Sequence, residues 1–519
     1  MTKNHFPTGG RLICGAREIS QDEVMARARR AASGFDRLGV RENQTVAFFL
    51  RNDFAFIEAA LGANMIGAYG VAINWHFTAE EAGYVLRDCA AKVLVVHADL
   101  LPQIDAGLPE DLLVLTVTPS AEIRAAYGPG QAPDRAVRRT QDWETFLSDS
   151  LQWSQPPRAQ RANIIYTSGT TGRPKGVRRP PSDDTVSARV REVIATSYGI
   201  HPGEPLRTII TGPMYHSVPN IYGLHCARTA GSLVVLQPRF DAEDLLRLIQ
   251  THRITNIHLV PTMFVRLLNL PEAVRRKYDL SSLKRVVHGA APCPPDIKRR
   301  MIDWWGEVIN EYYCATETGP AVYHTSQEAL RKPGTAGKPL PWATVKALDP
   351  QGAEVPNGEI GEIFIRIADY PRFTYLNRPE ETAAVKRGDL VTVGDLGYFD
   401  ADGYLFLCDR AKEMIISGGV NIYPAEIESV LMTLPGVADC AVFGIPHAEF
   451  GETVCAHIQR REQSDVSEQQ VTAFLAARIA KYKLPRVVVF EDRLPREDSG
   501  KIFKKRLRQP YWDAVGRQI

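Results

Sequence analysis

The sequence predicts an α/β protein with two parallel sheets, a smaller β-rich region and a compact α+β region. Three observations lead to this prediction. Strand and helix patterns alternate over residues 11–160, the alternation resumes after residue 208, and residues 334–409 change to short strands with Gly/Pro/Asn turns. Alternating β-α-β patterns indicate parallel sheets covered by helices on both faces. At 519 residues the chain is too long for one hydrophobic core and corresponds to about three domain-sized units.

The first region opens with a helix. Ser20 and Glu23 have the spacing of a capping box, which predicts a helix to about residue 38. Further strands are expected at residues 46–50, 70–73 and 93–96, and further helices at 54–65 and 78–89. Residues 120–160 are polar and contain several prolines, so an irregular connection is expected there.

The alternation returns with a short strand at 208–210 and a turn at 212–217. Helices are expected at 221–230 and 242–252, and strands at 232–236, 256–260 and 286–291. In the β-rich region, Pro356-Asn357-Gly358 marks a turn, and residues 358–366 form the clearest strand. The part of the chain beyond Asp409 is the predicted α+β region.

The composition excludes several classes of protein. Apolar residues make up 44% and charged residues 24%, and 62 Lys/Arg against 60 Asp/Glu argue against a nucleic-acid partner. The longest apolar runs are strand-sized, so no transmembrane segment is expected, and residues 1–10 lack the apolar core of a secretory signal. Eight scattered cysteines without metal-ligand spacing indicate reduced thiols and a cytoplasmic location.

Residues 164–176 contain the strongest functional signal. A strand-forming Ile-Ile-Tyr leads into hydroxyl and glycine residues, and the run ends in Pro-Lys-Gly. Small residues let backbone N–H groups converge on an anion, while Ser/Thr hydroxyls add donors and Lys175 adds positive charge. This predicts a phosphate cradle, most simply for a nucleotide. It differs from the Walker loop, which continues directly into a helix; a flexible linker is the alternative interpretation.

Carboxylates suited to a nucleotide follow later in the chain. Thr316 and Glu317 lie at a predicted strand-to-turn end, where they could hold a Mg²⁺ that bridges phosphates. A solvated turn is the alternative interpretation of this pair. Asp395, in a Gly-Asp-Leu-Gly segment, suits a ribose diol.

The C-terminal part adds two more stretches. Residues 409–421 combine a charged pivot with a glycine loop, and residues 495–502 form a flexible turn that projects Lys501. Taken singly, each stretch could be a surface loop.

Together, in this order and spacing, these five motifs resemble the adenylate-forming (ANL) superfamily, and within it the AMP-forming acyl-CoA synthetases of the fatty-acid or aryl-CoA ligase type. The resemblance covers nearly the whole chain. It implies a large N-terminal domain (1–408) of two α/β subdomains plus a β-barrel-like subdomain. A hinge (409–412) would join it to a small, mobile α+β C-terminal domain (413–519). ATP, Mg²⁺ and CoA are the implied cofactors and substrates.

The same resemblance assigns roles to individual residues. The ATP phosphates would be gripped by Thr167, Ser168, Gly169, Thr170, Thr171, Gly172 and Lys175. The adenine would be bordered by Gly289, Ala290, Ala291, Pro292 and Tyr313, and the ribose by Asp395 and Arg410. Thr316 and Glu317 would serve phosphate and Mg²⁺, with Thr167 as a second metal-binding candidate.

The remaining implied roles concern the second half of the reaction and the acyl group. Lys501 would be the adenylation lysine, Lys412 the pivot, and Ser417, Gly418 and Gly419 the loop that lines the pantetheine tunnel. His216 aligns with an aromatic residue between the acyl pocket and this tunnel, which suggests a gating role. A core or turn histidine is the alternative.

The chemistry behind the resemblance is specific. A carboxylate is a poor acyl donor, and attack on the α-phosphate of ATP converts its leaving group to AMP. Mg²⁺, Lys175 and Lys501 would neutralise the charge of the two reacting anions. Thiol attack then needs Lys501 moved away and a channel for the thiol, which a domain rotation at the hinge would provide.

The sequence says least about the acyl group of the substrate. Residues 216–222, 260–264, 287–290 and 312–314 are the implied pocket walls, and they contain no Arg or Lys to pair a second carboxylate. Cys314 replaces the family's usual glycine and only partly narrows the pocket, which argues against acetate. His288 replaces a frequent serine, with no consequence apparent from the sequence. We therefore expect a medium- or long-chain fatty acid or a similarly bulky acid, with a benzoate- or 4-coumarate-like aryl acid as the alternative.

Other readings of the function remain open at this point. The thiol could belong to a carrier protein, although the chain ends soon after Lys501 without a carrier-like domain, which favours free CoA. A non-catalytic nucleotide-binding protein is a second alternative, against which the complete set of motif residues argues. A homodimer is compatible with the sequence.

Overall fold

The computed structural model describes residues 9–128, 140–156, 158–167, 173–410, 413–418, 420–496 and 502–515. Its strands are β1 (Arg11–Cys14), β2 (Arg17–Ser20), β3 (Thr45–Phe49), β4 (Tyr69–Ala72), β5 (Ala91–His97), β6 (Leu113–Val117), β7 (Thr140–Asp142), β8 (Ile164–Thr167), β9 (Lys175–Arg178), β10 (Arg207–Ile210), β11 (Leu233–Leu236), β12 (Asn256–Leu259), β13 (Arg285–His288), β14 (Ile309–Ala315), β15 (Gly319–His324), β16 (Lys338–Pro339), β17 (Ala343–Leu348), β18 (Gly361–Ile367), β19 (Thr374–Tyr375), β20 (Lys386–Arg387), β21 (Leu390–Phe399), β22 (Leu405–Arg410), β23 (Ile415–Ser417), β24 (Val420–Ile422), β25 (Val437–His447), β26 (Gly451–Arg460) and β27 (Val487–Glu491).

The α-helices are α1 (Gln21–Arg37), α2 (Phe54–Met65), α3 (Ala79–Asp88), α4 (Leu101–Ile104), α5 (Ala121–Tyr127), α6 (Trp143–Ser148), α7 (Asp184–Ser197), α8 (Ser217–Arg228), α9 (Ala242–His252), α10 (Pro261–Leu268), α11 (Glu272–Arg275), α12 (Pro295–Trp305), α13 (Ser326–Arg331), α14 (Pro379–Ala384), α15 (Pro424–Leu431), α16 (Glu468–Ala476) and α17 (Lys504–Asp513). No helix in the described ranges is both long and apolar enough to span a membrane.

The chain divides into two compact units. The first comprises Met1–Leu259, Leu270–Val287 and Asp369–Val385; the second comprises Val260–Asn269, His288–Ala368 and Lys386–Ile519. The domain boundaries expected from the sequence, 1–408, 409–412 and 413–519, remain predictions.

The first unit contains the two parallel arrays that the β-α-β alternation predicts. One sheet has the order β19-β9-β8-β4-β3-β5-β6-β7; the pairs from β8 to β7 are all parallel, whereas β9 is antiparallel to both β8 and β19. In the other array β1, β11, β10 and β12 are parallel neighbours, and β2 pairs antiparallel with β1. Helix α2 is buried along most of its length, as expected for an all-round apolar helix enclosed by other elements.

The second unit contains the predicted β-rich region and the α+β region. Antiparallel pairs join β17, β18, β21, β20 and β22 into one sheet. Nearer the C-terminus, β24, β23, β26 and β25 form another sheet, to which β27 adds in parallel to β26. Its core includes Ile427 and Leu431 of α15 together with Leu475 of α16, all fully buried.

The expectation of an irregular connection over residues 120–160 is wrong in part. Helix α5, strand β7 and helix α6 lie in this stretch. The Asp142 side chain caps α6 by accepting from the Thr145 N–H, and Trp143, Phe146 and Leu147 are buried on one face. Three apolar residues at helical spacing after an aspartate are enough to form a short packed helix despite the polar surroundings.

Helix boundaries differ from the prediction at two other places. Helix α7 was not anticipated, and α8 begins at Ser217 instead of residue 221. Helix α1 begins directly after Ser20, whose side chain accepts from the Glu23 N–H at 3.1 Å, as the capping pattern predicts.

Candidate active site

The predicted phosphate loop joins two antiparallel strands of the first unit. Strand β8 pairs with β9 so that Thr167 lies opposite Lys175 and Tyr166 opposite Gly176. Both ends of the loop are therefore fixed by backbone pairing, and the strand after the loop returns along β8 instead of continuing into a helix. The central loop residues, Ser168, Gly169, Thr170, Thr171 and Gly172, lie outside the described residues.

Lys175 has protein partners that the sequence did not indicate. Its ammonium group forms an ion pair with Glu381 of α14 and lies 5.1 Å from the centre of the Tyr375 ring. The Lys175 side chain is only 12% exposed. The hydrogen bond from Lys175, followed by that from Arg378, lowers the pKa of Glu381 against the opposing effect of burial. Glu381 is thus an ionised carboxylate held against the predicted phosphate lysine.

The predicted adenine segment follows β13 in the second unit. A Cβ on Gly289 would come within 2.8 Å of the Tyr312 carbonyl oxygen, so only glycine fits this close approach. The next residue, Ala290, has φ of +68°, the left-handed region that residues with a Cβ rarely adopt. The backbone at Gly289 and Ala290 is therefore tightly constrained, whereas Ala291 and Pro292 continue the turn towards α12.

Hydrogen bonds join Tyr313, the predicted adenine neighbour, to Asp395 and Arg410, the predicted ribose pair. The Tyr313 hydroxyl donates to Asp395 Oδ2 at 2.6 Å, and Arg410 Nε donates to Asp395 Oδ1 at 3.2 Å. Asp395 and Arg410 face each other across the β21–β22 pair. Burial, and then the Asp395 charge, raise the pKa of Tyr313 well above its ordinary value, so the phenol remains a donor. The arrangement presents an oriented carboxylate beside a guanidinium, which suits a ribose diol.

Thr316 and Glu317 occupy the predicted strand-to-turn position. Strand β14 ends at Ala315 and β15 begins at Gly319, and Ala315 N–H donates to Thr318 Oγ1 at 3.1 Å to close the turn. Glu317 is 9% exposed. Among the residues that the structure describes, no three His, Cys, Asp or Glu side chains converge on a metal site. One carboxylate with a neighbouring hydroxyl fits Mg²⁺, which commonly takes one or two carboxylates and completes its shell with phosphates and water.

His216 occupies the N-cap position of α8 in the first unit. Its ring lies 4.3 Å from that of Tyr215, which in turn packs edge-on against Trp75 at 6.3 Å. The preceding turn is fixed because Met214 N–H donates to Asn52 Oδ1 and Asn220 Nδ2 donates to the Met214 carbonyl, both at 2.9 Å. His216 therefore lies in an aromatic cluster on a well-held turn, and its gating role remains a prediction.

His288 belongs to a buried charged cluster of the second unit. Glu311 accepts from Lys298, its Oε2 lies 2.9 Å from His324 Nε2, and it is 3.6 Å from His288 Nε2. The His288 ring also packs edge-on against Phe264, with ring centres 5.0 Å apart. Burial raises the pKa of Glu311, but Lys298, His288 and His324 outweigh it and hold that pKa below its ordinary value. No local sequence pattern indicates this cluster, because its members lie on four separate elements.

Of the candidate residues in the C-terminal part, the structure describes Ser417 and Gly418. Lys412, Gly419 and Lys501 lie outside the described residues. Ser417 ends β23, and Gly418, with φ of +57°, donates its N–H to the Phe450 carbonyl at 2.9 Å.

The residues that flank the Lys501 turn are paired. Arg496 and Ile502 form an antiparallel bridge, and Phe503 N–H donates to the Pro495 carbonyl at 2.9 Å. The described residues on either side of 497–501 are therefore held together by backbone hydrogen bonds, directly before α17.

A hairpin around the predicted phosphate loop, an oriented carboxylate beside an arginine and a carboxylate with a neighbouring hydroxyl are features expected of a nucleotide-binding enzyme. Comparison with known families makes this specific. The family described as AMP-binding enzyme matches residues 4–369, and its AMP-binding enzyme C-terminal domain matches residues 426–501. The chain belongs to the AMP-binding enzyme family.

Individual relatives agree with this assignment. The chain is 33% identical over 503 residues to a feruloyl-CoA synthase of Amycolatopsis sp, covering 96% of this chain and 95% of the relative. It is 32% identical over 497 residues to the long-chain-fatty-acid–CoA ligase FadD13 of Mycobacterium tuberculosis, covering 95% and 93%. The crystal structure of ATP-bound MatB from Rhodopseudomonas palustris matches with a TM-score of 0.83 at 28% identity, covering 99% of this chain and 97% of that one.

These comparisons confirm the resemblance, the α/β fold class with a smaller C-terminal domain, and the reaction class. The protein is an AMP-forming acyl-CoA synthetase, an acid–thiol ligase that uses ATP and CoA.

Proposed function

We propose that this acyl-CoA synthetase activates a hydrophobic monocarboxylic acid, either a medium- or long-chain fatty acid or a similarly bulky acid, with an aryl acid as the alternative. The observation that carries the proposal is the absence of Arg and Lys from the sequence segments expected to border the acyl group, residues 216–222, 260–264, 287–290 and 312–314. These segments contribute buried apolar side chains, among them Val218, Met263 and Phe264. Apolar walls favour an apolar acyl group.

Lys298 is a buried lysine of the second unit, but it is not available to pair with a second substrate carboxylate. The Lys298 ammonium is within 3.0 Å of His324 Nε2 and is paired with Glu311. Its charge is therefore compensated inside the protein, and it is a poor partner for a second substrate carboxylate.

The names of the relatives cover both alternatives. A feruloyl-CoA synthase handles an aryl acid and a long-chain-fatty-acid–CoA ligase an aliphatic one, at nearly equal identity to this chain. Both acids are bulky and hydrophobic, which supports the class of substrate while leaving the choice between the two to experiment.

In the first step, a carboxylate oxygen of the acid attacks the α-phosphorus of ATP. A carbon–oxygen–phosphorus link forms, the bond from the α-phosphorus to the bridging oxygen breaks, and pyrophosphate leaves. Lys175 would hold the departing phosphates and Lys501 would bridge the carboxylate and the α-phosphate, so that two anions can approach each other. Asp395 and Arg410 would hold the ribose, and the Gly289–Ala290 backbone the adenine. Glu317, with Thr316 and Thr167, would hold a Mg²⁺ whose chemistry is to neutralise phosphate charge.

In the second step, the CoA thiol gives up its proton to solvent and attacks the carbonyl carbon. The carbon–sulfur bond forms as the bond to the AMP oxygen breaks, and AMP leaves with the negative charge. Rotation about Lys412 would remove Lys501 and bring Ser417, Gly418 and Gly419 to the thiol channel, with His216 at its inner end. Transfer to a carrier-protein phosphopantetheine is the alternative second step.

Location and assembly are part of the proposal. A cytoplasmic location is supported by the thiols, since all eight cysteines lie in the described part of the chain and each is free. A homodimer is the assembly we propose to test first, by light scattering of the purified chain.

The substrate proposal is tested with a panel of carboxylates assayed for CoA-dependent AMP formation. We expect octanoate to palmitate to exceed acetate and malonate in kcat/KM, with adjacent chain lengths accepted because an apolar pocket discriminates only about 1–3 kcal/mol per methylene. Acetate or malonate as the best substrate would refute the proposal, and cinnamate- or benzoate-type acids ahead of the fatty acids would select the aryl alternative. A pantetheinylated carrier protein, substituted for CoA, tests the identity of the thiol.

A further inference from the structure

Lys175, the lysine proposed to grip the ATP phosphates, is already bound to a carboxylate. Its ion pair with Glu381 is largely shielded, since the two side chains are 12% and 28% exposed. Exposed pairs of this kind contribute little, but shielding from water strengthens the attraction. Binding of phosphate by Lys175 therefore competes with an anion that belongs to the chain.

The position of Glu381 follows from backbone pairing in the first unit. Strand β19 pairs with β9 so that Tyr375 lies opposite Val177, and Leu376 N–H donates to the Gly176 carbonyl at 2.8 Å. Helix α14 begins four residues after Tyr375 and presents Glu381 in its first turn. Lys175 begins β9, and Glu381 follows β19, the strand paired with β9. This pairing therefore places the carboxylate beside the lysine.

Glu381 also has a second cation, which can keep it when Lys175 leaves. Arg378 Nη1 donates to Glu381 Oε1 at 2.9 Å. Arg378 itself is held because its Nη2 donates to the Tyr84 hydroxyl at 2.7 Å, and Tyr84 donates to the Pro174 carbonyl at 3.3 Å. A carboxylate between two cations can release one of them without being left uncompensated.

We propose that Glu381 is an internal competitor for Lys175: a polyphosphate binds by displacing the carboxylate from the lysine, and Glu381 recaptures the lysine when pyrophosphate leaves. The proposal rests on the proposed role of Lys175 in phosphate binding. Its consequence is that Glu381 weakens the binding of ATP and of pyrophosphate by the same interaction. AMP, which has no β- or γ-phosphate, is affected less.

The test is a double-mutant cycle on the full-length enzyme. Calorimetric titration without carboxylic acid measures the Kd of MgATP, of magnesium pyrophosphate and of AMP for the wild type, Glu381→Gln, Lys175→Ala and the double variant. Glu381→Gln should bind ATP and pyrophosphate about threefold to tenfold more tightly, with AMP within about twofold, because a shielded pair is lost while the lysine remains. Glu380→Gln, an exposed neighbour in the same helical turn, is the matched control and should change none of the three.

The cycle separates the two hypotheses. In the Lys175→Ala background, Glu381→Gln should no longer alter ATP affinity, since there is no lysine left to release. Unchanged or weaker ATP binding by Glu381→Gln, or an equal gain in AMP affinity, would refute the competition. A loss of ATP affinity in Lys175→Ala would still support the phosphate role of the lysine in that case. Wild-type ATP affinity in Lys175→Ala would instead refute the role proposed for the lysine. Thermal unfolding of each variant, within about 2 °C of the wild type, verifies that the fold is intact.

Discussion

The hydroxyl of Tyr313 donates a 2.6 Å hydrogen bond to Asp395, whose other oxygen accepts from Arg410. The carboxylate is held from both sides and has a fixed orientation before any nucleotide arrives. A ribose diol that donates to this carboxylate would meet an acceptor with little freedom left to lose.

The first prediction follows from this fixed carboxylate. Asp395→Asn should raise the KM for ATP by about 10- to 100-fold, because a hydrogen bond to a charged acceptor contributes about 1.5–3 kcal/mol. Tyr313→Phe keeps the Asp395 charge and removes only the hydrogen bond that orients it, so the KM for ATP should rise about threefold to tenfold. AMP formation at varied ATP concentration measures both effects. Tyr398→Phe, on the same strand as Asp395, is the control. A KM for CoA that rises in parallel would contradict a specific nucleotide role.

The second prediction concerns Lys501, where the two half-reactions can be separated. Lys501→Ala should reduce acyl-adenylate formation by about three powers of ten or more, as expected for removal of a charge that stabilises the transition state. Thioester formation from supplied acyl-AMP should be largely retained. Pyrophosphate release and thioester formation are measured separately, and Lys505→Ala, an exposed lysine in the following helix, is the control. An adenylation rate within a fewfold of the wild type would refute the assignment.

The third prediction concerns the stability that the buried Glu311 cluster provides. Glu311→Gln leaves the Lys298 ammonium buried without its counter-charge, which costs about 3–5 kcal/mol and should lower Tm by roughly 5–10 °C. Replacing both partners, Glu311→Leu with Lys298→Met, should cost less than the single change, because no uncompensated charge remains. Differential scanning fluorimetry compares the three proteins. A double variant less stable than Glu311→Gln would show that packing, and not charge compensation, dominates the cluster.

The pH dependence of this cluster has a definite sign. The folded-state pKa of Glu311 lies below its ordinary value of 4.5, so its stabilising contribution is complete above that pH and is lost as pH falls through the lowered pKa. The titration of Glu311 itself should therefore add no pH dependence to the cost of Glu311→Gln between pH 6 and 8.

The fourth prediction concerns Asp409, at the start of the proposed hinge. Its Oδ2 accepts from the Ala425 N–H at the N-terminus of α15 at 3.0 Å. Burial raises its pKa from 3.8 to about 6, against the lowering effects of Lys504 and of the Ala425 and Arg410 N–H groups, while Glu413 adds to the rise. A raised carboxyl pKa means that stability is greatest below the ordinary pKa and is lost as pH rises through about 6.

Substitution of this aspartate isolates its contribution. As pH rises from 4 to 7, the stability of Asp409→Asn relative to the wild type should increase by about 1–3 kcal/mol, because the amide carries no charge to bury. Thermal unfolding of both proteins across this range measures the difference. A difference independent of pH would show that the Asp409 carboxyl titrates normally.

The strands that lead to the candidate site could be predicted because their patterns are short and local. The Ile-Ile-Tyr strand and the strand that ends before Thr316 depend on neighbours in sequence, and β8 and β14 lie where these patterns place them. The β-α-β alternation likewise predicted the parallel sheets. Local chemistry decides such features.

The rest depends on residues far apart in the chain. Glu381 lies about two hundred residues after Lys175, and its approach is decided by the pairing of two-residue β19 with β9, which no local periodicity indicates. The cluster of Lys298, Glu311, His324 and His288 is similar, since buried polar groups choose partners by geometry and not by spacing. Helix α6 is a different case. Its Asp142 cap and apolar spacing are visible in the sequence, but the pattern is too short to predict a helix among so many polar residues.

The pairing of β19 with β9 has a consequence for protein engineering. A chimera that transplants residues 164–178 into a related synthetase would carry over Lys175 and its hydroxyl loop, but not Tyr375, Arg378 or Glu381. The graft would then acquire whatever counter-charge the recipient offers. Loop exchange between such enzymes should therefore move 164–178 and 374–384 as one module, even though nearly two hundred residues separate them in the gene.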